Sequence, residues 1–321
     1  MPSNVEVTLE HAPCPVGCRP SDRVVLTGRD RLHGLPGAFT VVRCETCGLM
    51  RTDPRPNPET IGKFYPEEYG PYRDTRVAAD DAPPSRIPFW KTLARRLLST
   101  DSRQVPSLRP GRMLEVGCAS GSFLFQMAHA GWDVSGIEFS ETAATAARAA
   151  GYRVHVGPLD SAPDADRLYD LIVGWMVLEH LPNPIQALRR LSAWSKPGAW
   201  LAMSVPDAGS LEFRVFGDAW YALDLPRHLF HFTRRTIGRI LGLGGWKVRR
   251  ILWHSNPNNL LQSLRSVCLD RGWRSAADVL FQVIEGRRAP RARLMLGRLL
   301  GLLHASGRMT IWAQRDERPE A

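Results

Sequence analysis

The sequence predicts an α/β protein: a parallel sheet with crossover helices, a small cysteine-bearing module in front of it and a helical insertion before its last strand. Three observations predict this. From Arg109 to His254, short β-branched and apolar runs alternate with longer helical stretches, the pattern of a parallel sheet wound by helices. Two close cysteine pairs, Cys14 with Cys18 and Cys44 with Cys47, stand near the start. A basic, leucine-rich stretch of about 50 residues separates the last two strand candidates.

The 321 residues exceed a usual single domain, and 44% apolar with 23% charged residues is an ordinary globular balance, which excludes a short disulfide scaffold and a mainly disordered chain. No run reaches the roughly 18 apolar residues of a membrane span. Met1 to Glu10 carry neither a basic flank nor an apolar signal segment, so a soluble cytoplasmic protein is expected. The net charge of +10 is uneven: Arg234 to Arg308 hold fifteen basic residues against Asp270, Asp278 and Glu285, a local +12. Such a lobe suits a phosphate-bearing substrate, nucleic acid or an acidic membrane surface, or is a solvated face.

Residues 1–55 read as a zinc-ribbon-like domain. Arg23 to Thr27 and Ala38 to Arg43 are strand candidates, with Gly34 and Gly37 in the turn between them. Without a secretory signal, the two cysteine pairs, separated by 25 residues, fit a four-thiolate zinc site better than disulfides, since each short turn aims two sulfurs at one ion. Gly48 supplies the positive φ that such a turn needs. Cys268 reads as a small buried apolar residue. Residues 56–105, with Phe64 to Tyr72 and the polar run Ala78 to Ser85, read as linker and lid.

Residues 106–256 form the expected core. Arg112 to Gly117 is a strand, Cys118 to Gly121 a glycine turn and Ser122 to Ala130 a helix ended by Gly131. Glycine suits a turn that a ligand approaches closely, and the following helix start favours an anionic group. Trp132 to Ile137 is the second strand, and an alanine-rich helix follows from Ser140 to Ala150. Glu138, 17 positions after Gly121, ends that strand, where a carboxylate can accept both hydroxyls of a ribose.

The combination of Glu115-x-Gly117-x-x-x-Gly121, Glu138, Tyr169 to Val173, Leu178 to Pro184 and Lys196 to Leu201 resembles the class I S-adenosylmethionine-dependent methyltransferases over about residues 107–256 and 308–316. The resemblance implies a Rossmann-like seven-stranded methyltransferase sheet and S-adenosylmethionine as cofactor. It further implies that Glu115, Gly117, Cys118 and Gly121 shape the methionine and ribose end and that Glu138 holds the ribose hydroxyls. Leu159 and Asp160 would lie near the adenine, with Trp175 and Met176 lining the pocket. Ala119 departs from a common glycine. The cysteine pairs, with Arg43 to Leu49, Pro54 to Pro56 and Phe64 to Pro66, resemble a bacterial subgroup joining a zinc domain to such a methyltransferase in polysaccharide or secondary-metabolite biosynthesis, including sugar C-methyltransferases. His228 matches the second histidine of that subgroup's His-Glu-His-like motif, with Arg227 and Pro226 in the other two places.

His228 and, second, His180 are the catalytic candidates, because a histidine is a proton acceptor near pH 7. Arg227 is a candidate for pairing with a substrate carboxylate or phosphate, His231 reads as structural, and Tyr65, Tyr69 and Tyr72 are candidates for closing over the donor. Residues 257–306 are the basic helical insertion, and 307–316 the final strand. On its last helix, Arg291 to Ala305, Met295, Leu296, Leu299, Leu300, Leu302 and Leu303 fill one half and Arg291, Arg293, Arg298 and His304 the other. Such a helix packs on its own domain, lies on an acidic membrane face or grips a lipid-linked phosphate. The expected function is methyl transfer to a small-molecule acceptor, a sugar, glycolipid precursor or related metabolite, phosphate-bearing or lipid-linked. The alternative is an rRNA or tRNA methyltransferase using the ribbon and arginine lobe. Gly174 to Val177 stands where a base-methylating Asn-Pro-Pro-Tyr-type motif would be, and the arginines neighbour leucines rather than stacking aromatics; both features count against that alternative.

Overall fold

The computed structural model describes residues 7–65 and 103–316; Tyr69, Tyr72 and the run Ala78 to Ser85 lie outside these described residues. The central sheet has seven strands: β6 (Arg112–Val116), β7 (Asp133–Glu138), β8 (Arg153–Val156), β9 (Tyr169–Trp175), β10 (Ser195–Pro206), β12 (Trp246–Trp253) and β13 (Arg308–Arg315). Their order is β12-β13-β10-β9-β6-β7-β8. The neighbours from β10 to β8 are parallel, and β13 runs antiparallel to both β10 and β12. The chain winds outward from β6 through β7 to β8, then returns to lay β9 on the other side of β6. Ligands bind at such a reversal, beyond the carboxyl ends of the strands.

Helices on both faces favour apolar residues in the central strands: Met113, Leu114 and Val116 of β6 and Leu171, Ile172 and Val173 of β9 are all buried. Helix α1 (Ser122–His129) starts at Gly121, whose φ is +86°. Helix α2 (Glu141–Ala149) is capped by the Ser140 hydroxyl and buries Ala143, Ala144 and Ala147; alanine's small volume brings it close to the sheet. α3 (Pro184–Ala193) precedes β10, which shifts register between Ser195 and Trp200. After β10 come α4 (Leu211–Phe216) and α5 (Arg234–Leu243).

The front module consists of β1 (Leu9–Glu10), β2 (Asp22–Gly28), β3 (Phe39–Cys44), β4 (Met50–Thr52) and β5 (Arg55–Pro56). Its main sheet has the order β11-β4-β3-β2. The outer strand β11 (Phe230–His231) comes from the far side of the chain, pairing Phe230 with Arg51 and His231 with Met50. The insertion forms three helices, α6 (Asn258–Asp270), α7 (Arg274–Ile284) and α8 (Pro290–Leu302). α8 does not bury the whole of its apolar half against its own domain. Gly297 is its buried residue, while Met295, Leu299 and Leu302 are exposed. No helix among the described residues is long and apolar enough to cross a membrane.

Candidate active site

A cavity of about 990 Å³ opens at the carboxyl ends of β6, β7 and β9, at the upper end of the usual range for small-molecule sites. Of the residues expected there, Gly117, Glu138, Leu159, Asp160, Trp175, Met176, His180 and His228 line it. Glu115, Cys118 and Gly121 do not, and the reason is packing. Glu115 is 3% exposed, and burial, with the Glu138 charge adding to it, drives its carboxyl well above the usual range against the pull of Arg103. The Cys118 thiol sits under Gly136, where any Cβ would meet its sulfur. Gly121 turns into α1, where a Cβ would press on Ala147 at 3.1 Å. These three shape the wall from behind.

At one end of the cavity the glycine turn is tied to β7 by the Gly117 N–H donating to the Ile137 carbonyl at 2.8 Å. Glu138 faces this turn: its two oxygens accept the Ala119 and Ser140 N–H groups, each at 2.8 Å. Burial raises its pKa while these backbone donors oppose the rise. Each carboxylate oxygen has a second lone pair, so two acceptor positions remain for a diol. The Trp175 indole N–H, buried in the cavity wall, has no hydrogen-bond partner among the described residues. An unpaired buried donor beside a free acceptor pair fits a polar nucleoside ligand. Ala119 and Met176 sit at φ +45° and +59°, uncommon for side-chain-bearing residues and frequent at binding sites.

At the other end the two candidate histidines meet, their ring centroids 4.6 Å apart in an edge-to-face arrangement. His180 rises from the 3₁₀ turn Leu178–His180 after β9. Its Nδ1 lies 2.9 Å from the Tyr65 hydroxyl and 3.0 Å from the Arg227 carbonyl. The His228 Nδ1 lies 3.0 Å from the Ala222 carbonyl. A ring nitrogen facing a carbonyl carries the proton, which leaves each Nε2 with its lone pair. Burial lowers the His180 pKa, and burial with the nearby His180 and His231 rings holds His228 well below the ordinary histidine range. Both are neutral near pH 7. The His228 Nε2 lies 3.9 Å from Glu179 and 3.7 Å from Asp224, so a proton arriving there finds two carboxyl groups. Donor atoms of Glu179, His180 and His228 lie within 4.8 Å of one another, a group able to bind a divalent cation as well as a proton.

Arg227 is not free for substrate. It is fully buried, donating to Asp30 at 2.7 Å, to Asp224 at 2.6 Å and to the Phe64 carbonyl at 2.9 Å. Its guanidinium fork is occupied in fastening the front module to the histidine loop. His231 is buried with its Nε2 3.1 Å from the Thr52 hydroxyl, a packing role. The sequence did not single out Asp224, Phe139 or Arg308, all on the cavity wall. Phe139 is 62% exposed immediately after Glu138; an apolar ring following the acidic strand end was the signal for it. Asp224 could have been noticed four positions before His228.

The four N-terminal cysteines are all free thiols, and their sulfurs lie within 4.8 Å of one another. Cys14 and Cys47 are 3.5 Å apart, near the about 3.8 Å edge of a tetrahedron with metal–sulfur bonds of about 2.3 Å. Gly17 and Gly48, with φ of +80° and +78°, close the two turns. Burial pushes the Cys14 thiol up to about 11. Burial also acts to raise Cys44, but the Cys47 and Thr46 backbone N–H groups outweigh it and bring that thiol down to about 7. The donor set and spacing fit zinc.

A methyltransferase-domain family model matches residues 89–251. The ubiquinone biosynthesis O-methyltransferase of Bordetella avium is 33% identical over 130 residues, covering 38% of this chain and 54% of that protein. The protein of the same name from Nitrosospira multiformis is 27% identical over 166 residues, covering 47% and 70%. The chain thus spans about half the length of the first of these curated relatives. Among solved structures, an S-adenosylmethionine-dependent methyltransferase from Mesorhizobium loti is similar at 17% identity and a TM-score of 0.46, covering 74% of this chain and 100% of that one. With the matched segment reaching from before β6 into β12, the chain belongs to the methyltransferase-domain family, in its class I, S-adenosylmethionine-dependent form.

Proposed function

We propose that this protein methylates a hydroxyl group of a small molecule, a sugar, glycolipid precursor or related metabolite. The observation that carries the reading is a single cavity with the glycine turn and Glu138 at one end and two neutral, back-bonded histidines at the other. S-adenosylmethionine, when bound, supplies an electrophilic methyl group on a sulfonium sulfur. Glu138 accepts the ribose hydroxyls, and the turn at Gly117 orients the methionine end. The Nε2 of His228, or of His180 beside it, takes the acceptor's proton as the oxygen gains the methyl group. Asp224, 3.7 Å from the His228 Nε2, steadies the resulting imidazolium. Tyr65 fixes the His180 ring. Oxygen as the methylated atom is favoured by the name of the Bordetella relatives. In this reading Cys14, Cys18, Cys44 and Cys47 hold a structural zinc ion that braces the front module.

Calorimetry with S-adenosylmethionine and its demethylated product tests the donor site. Glu138→Ala is expected to weaken binding by roughly 10- to 100-fold, the equivalent of charge-assisted hydrogen bonds worth about 1.5–3 kcal/mol. Labelled-methyl transfer to lipid-linked sugar, nucleotide-sugar and RNA pools tests the acceptor. His228→Gln is expected to lower turnover by about 10²–10⁴-fold at unchanged donor affinity. Label entering only RNA refutes the small-molecule reading, and unchanged donor affinity in Glu138→Ala refutes the role of that carboxylate.

A further inference from the structure

We propose that the outward face of α8 docks this protein on an anionic lipid bilayer. The helix is packed the wrong way round for one whose only neighbour is its own domain. Its glycines face inward: a Cβ on Gly297 would collide with the Ser255 carbonyl, and one on Gly301 would stand 2.7 Å from the Ser255 hydroxyl oxygen. Opposite them Met295 is 70%, Leu299 51%, Leu302 79% and Leu303 65% exposed. A folded chain rarely leaves four large apolar side chains of one helix in water unless something covers them.

Charge selects the cover. Arg287, Arg288 and Arg291 are exposed at the start of α8, and no Asp or Glu occurs from Gly286 to Gly307. Elsewhere in the insertion Trp273 is 54% exposed, with the Arg271 guanidinium 5.1 Å from its ring centre. Leucine and methionine with flanking arginines, and tryptophan near a cation, make up the composition of a helix lying in a lipid headgroup layer. A second copy of the chain would bring the same arginines against themselves across a two-fold axis. Acidic lipid headgroups neutralise them instead. The docked surface belongs to the insertion, so the proposal goes beyond the methyl-transfer reading and gives it a place where a lipid-borne acceptor would be met.

The test is flotation of the full chain with vesicles of phosphatidylcholine alone and of phosphatidylcholine with phosphatidylglycerol. The protein is expected to float with the anionic vesicles, to stay behind with the neutral ones and to be released by high salt. Leu299→Glu with Leu302→Glu is expected to cut the bound fraction at least about tenfold, from the loss of two inserted side chains. Arg287→Gln, Arg288→Gln and Arg291→Gln together should do likewise. Both variants should keep the wild-type melting temperature and donor affinity, which separates this proposal from the active-site reading. Absence of flotation with anionic vesicles overturns it, as does flotation unaffected by the leucine changes. A dimer in light scattering that Leu299→Glu splits, without vesicle binding, assigns the face to a second copy. A fall in melting temperature without vesicle binding assigns it to the chain's own packing.

Discussion

Glu179 is sealed from solvent, with neither carboxylate oxygen hydrogen-bonded among the described residues. Burial pushes its pKa up to about 8, outweighing the opposing pull of its own backbone N–H and of Arg308. An acid whose folded pKa lies above its unfolded value gives a stability contribution that is full below the unfolded pKa and is lost as pH rises through the folded one. Glu179→Gln removes that loss. The melting temperature of the variant relative to wild type should therefore climb between about pH 5 and pH 8, and a flat difference across that window would contradict the buried, unpaired carboxyl. At this scale the sequence was legible where chemistry follows local spacing. Gly117, Glu138 and Met176 stand at strand ends, and strand ends are written in the run of residues. Arg227 was misjudged because its partner Asp30 is 197 residues away, and no short window contains that pair.

For the elements, the seven core strands and their helices were readable from alternating apolar runs, and β6, β7, β9 and β13 lie within two residues of the expected bounds. The orientation of α8 was not readable. Periodicity reports that a helix has two faces and is silent about which one finds a partner. The missed signal was the pair Gly297 and Gly301, one turn apart, marking where backbone meets backbone. Gly297→Ala tests this by opposing two effects. Alanine gains about 1 kcal/mol of helix propensity, whereas overpacking costs about 1–3 kcal/mol. The obstacle is the Ser255 carbonyl, part of the backbone, rather than a side chain free to swing away, so the cost should win. Urea unfolding should show a net loss of up to about 2 kcal/mol, and a gain would mean that α8 sits farther from Ser255.

Across the whole molecule, the cysteine module and the methyltransferase core share structure. The cysteine spacing made the first legible, but that β11 would be lent to its sheet was not, since two residues carry no strand signature. Removing the proposed zinc ligands by Cys44→Ser with Cys47→Ser should abolish metal content in elemental analysis. It should also lower the melting temperature of the entire chain by roughly 5–10 °C. Two separate transitions, with the core's unchanged, would contradict the coupling. Along the seam Phe230 pairs with Arg51 and His231 with Met50, the Thr52 hydroxyl donates to the His228 carbonyl at 2.7 Å, and Arg227 clamps Asp30. The cysteine cluster and the His228 imidazole therefore stand in mechanical series, as if on one splint. A chain shorn of its first 57 residues would keep every residue proposed here to bind the donor yet strip the His228 loop of Asp30, Met50, Arg51 and Thr52, and is expected to grasp the methyl donor and use it poorly.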